Sequence, residues 1–164
     1  MNADESKTLR KQLVEAMSGR ESHLDFNSAL KDFPEASRGV KPRRAPHTAW
    51  QLLEHMRLAQ RDILDFSREE GANYEAKKWP DDYWPKEEAP PDPAAWDACI
   101  AAFRKDQQQL GRLIEDLQRD PFKPFSHGEG QTLLREALLV ATHNSYHLGQ
   151  LVFLKKTLLH MNGL

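Results

Sequence analysis

The chain has 164 residues, of which 39% are hydrophobic and 29% charged. That balance suits a single folded domain over 1–164 and excludes a disordered or fibrous chain. The formal net charge of −2 leaves no basic footprint for nucleic acid, and no apolar run approaches a membrane span. One cysteine, Cys99, excludes an intrachain disulfide, and the acidic start Met1-Asn2-Ala3-Asp4-Glu5 does not read as a signal peptide, so a cytoplasmic protein is expected.

Four segments carry helical periodicity and none alternates as a strand would. The first is expected from Glu5 to Gly19, with Leu9, Leu13, Ala16 and Met17 on one face and Gly19 as the stop. A linker follows to Pro46, with room for a short helix from Phe26 to Phe33; its basic run Lys41-Pro42-Arg43-Arg44 reads as a solvated loop. The second long helix starts at His47 or Thr48 and carries the stripe Leu52, Met56, Ala59, Ile63 and Phe66, with its end near Glu70 and Gly71. From Ala72 to Pro93 the chain is irregular and rich in proline and aromatics, a loop long enough to need a reason in a compact fold. The third helix opens near Ala94 with Trp96, Ile100, Phe103, Gln107, Leu110, Ile114 and Leu117 on one side, and Pro121 and Pro124 lie beyond it. Cys99 belongs to its apolar face as an inert thiol. The fourth runs from about Thr132 to Leu159, with Leu133, Ala137, Val140, Asn144, His147, Leu151, Leu154 and Leu158 in register. Four long helices with two long connections describe an all-α four-helix bundle.

The chemistry concentrates in His143-Asn144-Ser145-Tyr146-His147 on the fourth helix. Histidines four apart lie one above the other, so both imidazoles can reach one metal ion. Zinc proteases use this spacing with a glutamate after the first histidine as base; Asn144 stands there and takes no proton at neutral pH, so the metal half of the motif is present and the protease half is not. His55 sits on the core-facing side of the second helix, which makes three histidines on two core stripes. Three imidazoles leave a tetrahedral Zn²⁺ one open position, and they suit Ni²⁺ or Fe²⁺ as well. The residues equally allow three hydrogen-bonded core histidines.

Other candidates are weaker. Glu54 points about 100° around the helix from His55, and Glu136 lies about 10 Å down the axis from His143, so neither is a close base. Asn144 shares the inward stripe, Gln150 is placed to orient a substrate or a water, and Tyr146 is expected to turn toward a neighbouring helix. Trp84, with Trp79 and Tyr83, either walls a substrate pocket or packs the bundle end. His47, His23, His127 and His160 are expected at the surface. Ser126-His127-Gly128-Glu129-Gly130 has no strand before it and is read as a turn, not a nucleophile elbow.

The segments Leu52-Leu53-Glu54-His55 and His143-Asn144-Ser145-Tyr146-His147-Leu148-Gly149-Gln150 resemble the DinB/YfiT-like superfamily, and the likeness extends from Pro46-His47-Thr48-Ala49-Trp50 to Leu154 and over nearly the whole chain. It implies an up-down-down-up bundle, a homodimer, and a divalent metal on His55, His143 and His147. It further implies kinship with transferases and isomerases that use a low-molecular-weight thiol such as bacillithiol or mycothiol; with the open metal position, the expectation is a metal-dependent enzyme acting on a small molecule, a hydrolase or a thiol-dependent transferase. The contrasting expectation is a non-catalytic, metal-stabilised dimeric bundle or partner-binding module.

Overall fold

A computed structural model describes residues 2–19, 22–68 and 74–161. Five helices carry the fold: α1 (Ala3–Ser18), α2 (Phe26–Leu30), α3 (Ala49–Ser67), α4 (Ala95–Glu115) and α5 (Leu133–Met161). Among the described residues there is no strand, and no helix is long and apolar enough to cross a membrane.

Local sequence sets the helix ends. α1 opens on a reciprocal cap in which Asn2 Oδ1 accepts from the Glu5 N–H at 2.9 Å and Glu5 accepts from the Asn2 N–H at 2.8 Å. It stops at Gly19, whose φ of +68° is the left-handed conformation that glycine adopts without steric cost. Thr48 and Gln51 repeat the capping box at the start of α3. This helix stops at Ser67 because Arg68 turns extended, and the expected stop around Glu70 and Gly71 lies outside the described residues. α4 stops at Glu115, since Asp116 leaves helical geometry. Leu117 therefore falls beyond the helix and is exposed, contrary to its expected place on the apolar side.

Besides Leu117, the amphipathic faces depart from the stripes in one informative way. Every stripe residue named for α5, from Leu133 to Leu158, is buried. In α1, Ala16 is exposed and Arg10 is buried instead. Arg10 turns inward because its guanidinium donates to the Ile114 carbonyl at 2.6 Å, in the last turn of α4, and to the Arg119 carbonyl in the turn beyond it.

Each of α1 and α3 packs against both α4 and α5. Arg10 meets residues 114 and 119 while Gln107 meets Met17, so α1 and α4 run antiparallel. Gln60 meets Phe103 and Arg68 meets Gln109, so α3 and α4 run parallel. His55 meets His147 and Gln60 meets Asn144, which sets α3 antiparallel to α5.

Two apolar clusters fill the interior. One gathers Phe26, Trp50, Leu53, Met56, Trp96, Phe103 and Leu151. The other gathers Leu13, Met17, Leu64, Leu110, Ile114, Ala137 and Val140. Side chains such as Leu53, Leu64 and Leu151 have no exposed surface, and each such burial contributes about 1.5–3 kcal/mol. Along α3 the first cluster ends at Met56 and the second begins at Ile63; along α5 the change falls between Val140 and Leu148. Gln60, Asn144 and His147 fall in that gap with His55 at its edge, and all four are buried.

Candidate metal centre

The seam between α3 and α5 brings three imidazoles to one point. His55 Nε2 lies 3.2 Å from His147 Nε2 and 3.1 Å from His143 Nε2. One nitrogen from each ring falls within 4.8 Å of the other two. Two nitrogens bound at about 2.0 Å to a tetrahedral ion stand about 3.3 Å apart, so the spacing suits a shared metal ion, and by distance alone it suits an N–H···N hydrogen bond equally. The i, i+4 step on α5 stacks His143 below His147, and the antiparallel crossing sets His55 opposite both.

Proton bookkeeping sharpens this fit. His55 Nδ1 is 2.8 Å from the Tyr83 carbonyl oxygen, which can only accept, so Nδ1 carries the proton. His147 Nδ1 is likewise 2.8 Å from Gln150 Oε1. Both Nε2 atoms are then bare acceptors facing each other at 3.2 Å with no proton to share. Two lone pairs so placed repel unless a cation lies between them. The donor set thus suits a borderline metal such as Zn²⁺, Ni²⁺ or Fe²⁺, with the Nδ1–H groups of His55 and His147 already held by outer acceptors.

Burial keeps these rings neutral. It is the largest cause that pushes His55 down to about 4, against the Tyr83 carbonyl, with the neighbouring imidazoles adding to the lowering. His143 is also pushed down to about 4, by burial and then by His147. His147 is lowered by burial, partly offset by Gln150. All three therefore offer free nitrogens at neutral pH, as metal ligation requires.

The long loop after α3 turns out to hold this arrangement in place. Trp84 lies flat on His55 with ring centroids 3.8 Å apart and planes 1° from parallel, and His47 stacks on its other face at 3.8 Å. Tyr83 supplies the carbonyl for His55, and its hydroxyl donates to Asp62 at 2.6 Å. Tyr74 donates to the same carboxylate at 3.0 Å. Burial, then Asp62, pushes Tyr74 up to about 12, and burial raises Tyr83 too, so both remain donors at every physiological pH. Asp62 sits two turns beyond His55 on α3, buried, and anchors the loop that orients the histidine.

Of the remaining expected residues, Asn144 lies in the gap between the two clusters with Nδ2 donating to Gln60 Oε1 at 2.9 Å. Its Oδ1 is buried and has no donor at full hydrogen-bond geometry, though the amide is close enough to His143 to favour the protonated ring. Gln150 faces His147, and Trp84 faces His55. Tyr146, expected against a neighbouring helix, is instead 66% exposed with its ring edge toward His147. His47 is half-buried under Trp84 and not a surface residue, and His127 is tied to the Phe66 carbonyl at 2.8 Å. His23 and His160 are exposed as expected. Glu54 is paired with Arg57, and Glu136 is buried with Arg135 as its partner. The role of Asp62 was missed: a lone acid on a helix carries no signal of a tyrosine 21 residues on.

A sequence model described as the DinB superfamily matches residues 20–151, a span that contains all three histidines, the aromatic loop and α4. No curated protein and no solved structure matches the chain significantly. An all-helical fold, paired helix stripes and this family match agree, and the chain belongs to the DinB superfamily.

Proposed function

We propose that His55, His143 and His147 hold one divalent transition metal through Nε2, and that the protein is a metal-dependent enzyme acting on a small molecule. The observation that carries this reading is the pair of bare Nε2 atoms, 3.2 Å apart, whose Nδ1 protons are committed elsewhere. A metal so held supplies Lewis acidity, which lowers the pKa of a water or thiol that reaches it. The chain's own contribution is to fix three ligands and leave a fourth position free, to stack Trp84 over His55, and to exclude bulk water from the ring faces. Hydrolysis of a small substrate, or transfer from a low-molecular-weight thiol, both need only that free position. Zinc or nickel fits the imidazole set, and iron remains within it.

A second reading has its own support. Among the described residues no carboxylate bonds to any of the three rings, so no acid is tied to the centre as a ready general base. A metal that only stabilises a dimeric or partner-binding bundle needs no base. Elemental analysis of the purified protein beside His143→Ala separates the possibilities in two steps. The expected result is about one equivalent of transition metal in the wild type and little in the variant; a wild type that cannot be loaded at neutral pH sinks the metal reading. If the loaded protein turns over no ester, amide or thiol-transfer substrate and removal of metal only lowers its melting temperature, the structural reading replaces the enzyme.

A further inference from the structure

Beside the histidines, on the far side of Gln150 and His47, lies a cavity of about 640 Å³. One wall is α5, with Tyr146, Gly149, Phe153 and Leu154; the other is the turn from Pro42 to His47. Its size falls within the usual range for small-molecule sites. Phe153 and Tyr146 are 73% and 66% exposed, so this wall offers aromatic surface to whatever enters.

The charge on the cavity is one-sided. Arg43 and Arg44 line it and no acid does. Neither guanidinium has a carboxylate partner among the described residues, whereas the neighbouring Lys41 is paired with Glu88. The turn that presents them is fixed: Ala45 donates to the Pro42 carbonyl at 2.9 Å, prolines stand at 42 and 46, and Thr48 Oγ1 donates to the Glu88 carbonyl at 2.7 Å. Arg44 adopts a φ of +71°, a conformation costly for a residue with a Cβ and retained only where the surroundings determine it. Two unpaired guanidinium groups at the rim of an aromatic cavity, in a chain of net negative charge, select for an anion with an apolar body.

The cavity also touches the centre. Gln150, in its lining, accepts from His147 Nδ1, and His47 stacks on the Trp84 that covers His55. We propose that this cavity is the substrate pocket of the histidine centre and takes a small amphipathic anion, its carboxylate or phosphate on Arg43 and Arg44 and its apolar body against Tyr146, Phe153 and Leu154. The substrate role rests on the metal-enzyme reading above; the anion site itself does not.

Calorimetric titration of the full chain with octanoate, octyl phosphate and octanol tests it, alongside the double variant Arg43→Ala/Arg44→Gly, in which glycine relaxes the positive φ. At least one anion should bind about tenfold tighter than octanol, and the variant should lose about that factor for the anion while leaving octanol unchanged. The tighter of the two anions names the head group. Equal binding of anion and alcohol, or anion binding unaffected by the variant, overturns the proposal. So does failure of every probe in a protein that sediments as a dimer and becomes monomeric with Phe153→Ala, since a second copy then covers the wall. Metal content measured on the same samples keeps the two readings apart: the double variant should hold as much metal as wild type. Arginine-dependent anion binding in a chain that takes no metal would support the anion pocket while the metal reading failed.

Discussion

Two seams of this bundle bury polar side chains, and they resolve them in opposite ways. Between α1 and α4, Arg10 donates to the Ile114 and Arg119 carbonyls and Gln107 donates to the Met17 carbonyl at 2.9 Å. Donors meet acceptors, and the seam is complete within the chain. Between α3 and α5, three imidazole nitrogens converge, two of them acceptors once the Nδ1 protons of His55 and His147 are assigned, and Asn144 Oδ1 lies buried beside them without a full hydrogen bond. Buried polar groups are nearly always satisfied, so a place where two acceptors face each other, as His55 and His147 Nε2 do, marks something other than packing. The first seam stabilises the fold; the second is compatible with a divalent cation.

Acidification should separate the two seams most strongly. Arg10 keeps its charge throughout, so the α1–α4 seam does not titrate. In metal-stripped protein, His55 and His143 are held near 4 against an ordinary value of about 6.5. Above pH 6.5 they are neutral in both folded and unfolded states and contribute nothing to pH dependence. Below it the unfolded chain takes up protons that the folded chain refuses, so stability falls until about pH 4 and then levels. The loss should be on the order of 5 kcal/mol across that window, read from urea unfolding of the chelator-treated protein at a series of pH values. His55→Ala/His143→Ala should flatten the curve; an equally steep curve in that variant would mean that other groups cause it.

Breaking the satisfied seam gives the converse. Arg10→Met keeps the side-chain length and leaves the Ile114 and Arg119 carbonyls without their donor, at a cost of about 3 kcal/mol. Metal content should stay at the wild-type level. In metal-stripped protein His147→Ala should cost less than Arg10→Met, because it relieves a facing pair of acceptors. If both variants destabilise equally and neither changes metal content, the contrast between the seams is false.

Much of this was legible in the sequence, and the limits have physical causes. Histidines at i and i+4, with a third on another core stripe, are periodic information, and periodicity places side chains on faces. Every residue of the α5 stripe is buried for the same reason, and the stripe left out only Glu136 and Leu148 among the buried residues of that helix. Contacts made across a long loop have no such period. Trp84 was one candidate among several aromatics, and only the path of the loop lays it on His55. A backbone carbonyl, as at Tyr83, has no residue type to betray it. Arg10 reads as a surface residue because arginine is seldom buried; it takes the free carbonyls at the end of α4 to draw it in, and those depend on where another helix stops.

The smallest expected effect concerns that loop. Tyr83→Phe removes the hydroxyl that donates to Asp62 at 2.6 Å while keeping the ring and the carbonyl that orients His55. Tyr74 still satisfies the carboxylate, so the stability cost should stay near 1 kcal/mol. Metal affinity should fall more than that cost suggests, by about tenfold, because a loosened Tyr83 carbonyl no longer fixes the proton on His55 Nδ1, and partners of this kind typically change affinity by that factor or more. Competition with a chromogenic chelator measures it, with Tyr74→Phe as the comparison, since Tyr74 shares the carboxylate but has no bond to a histidine. Equal affinity losses in the two variants would mean that Asp62 acts only on the general stability of the loop. A loss confined to Tyr83→Phe would place the line of action from Asp62 through Tyr83 to His55, and so extend the α3–α5 seam by two turns of helix beyond its imidazoles.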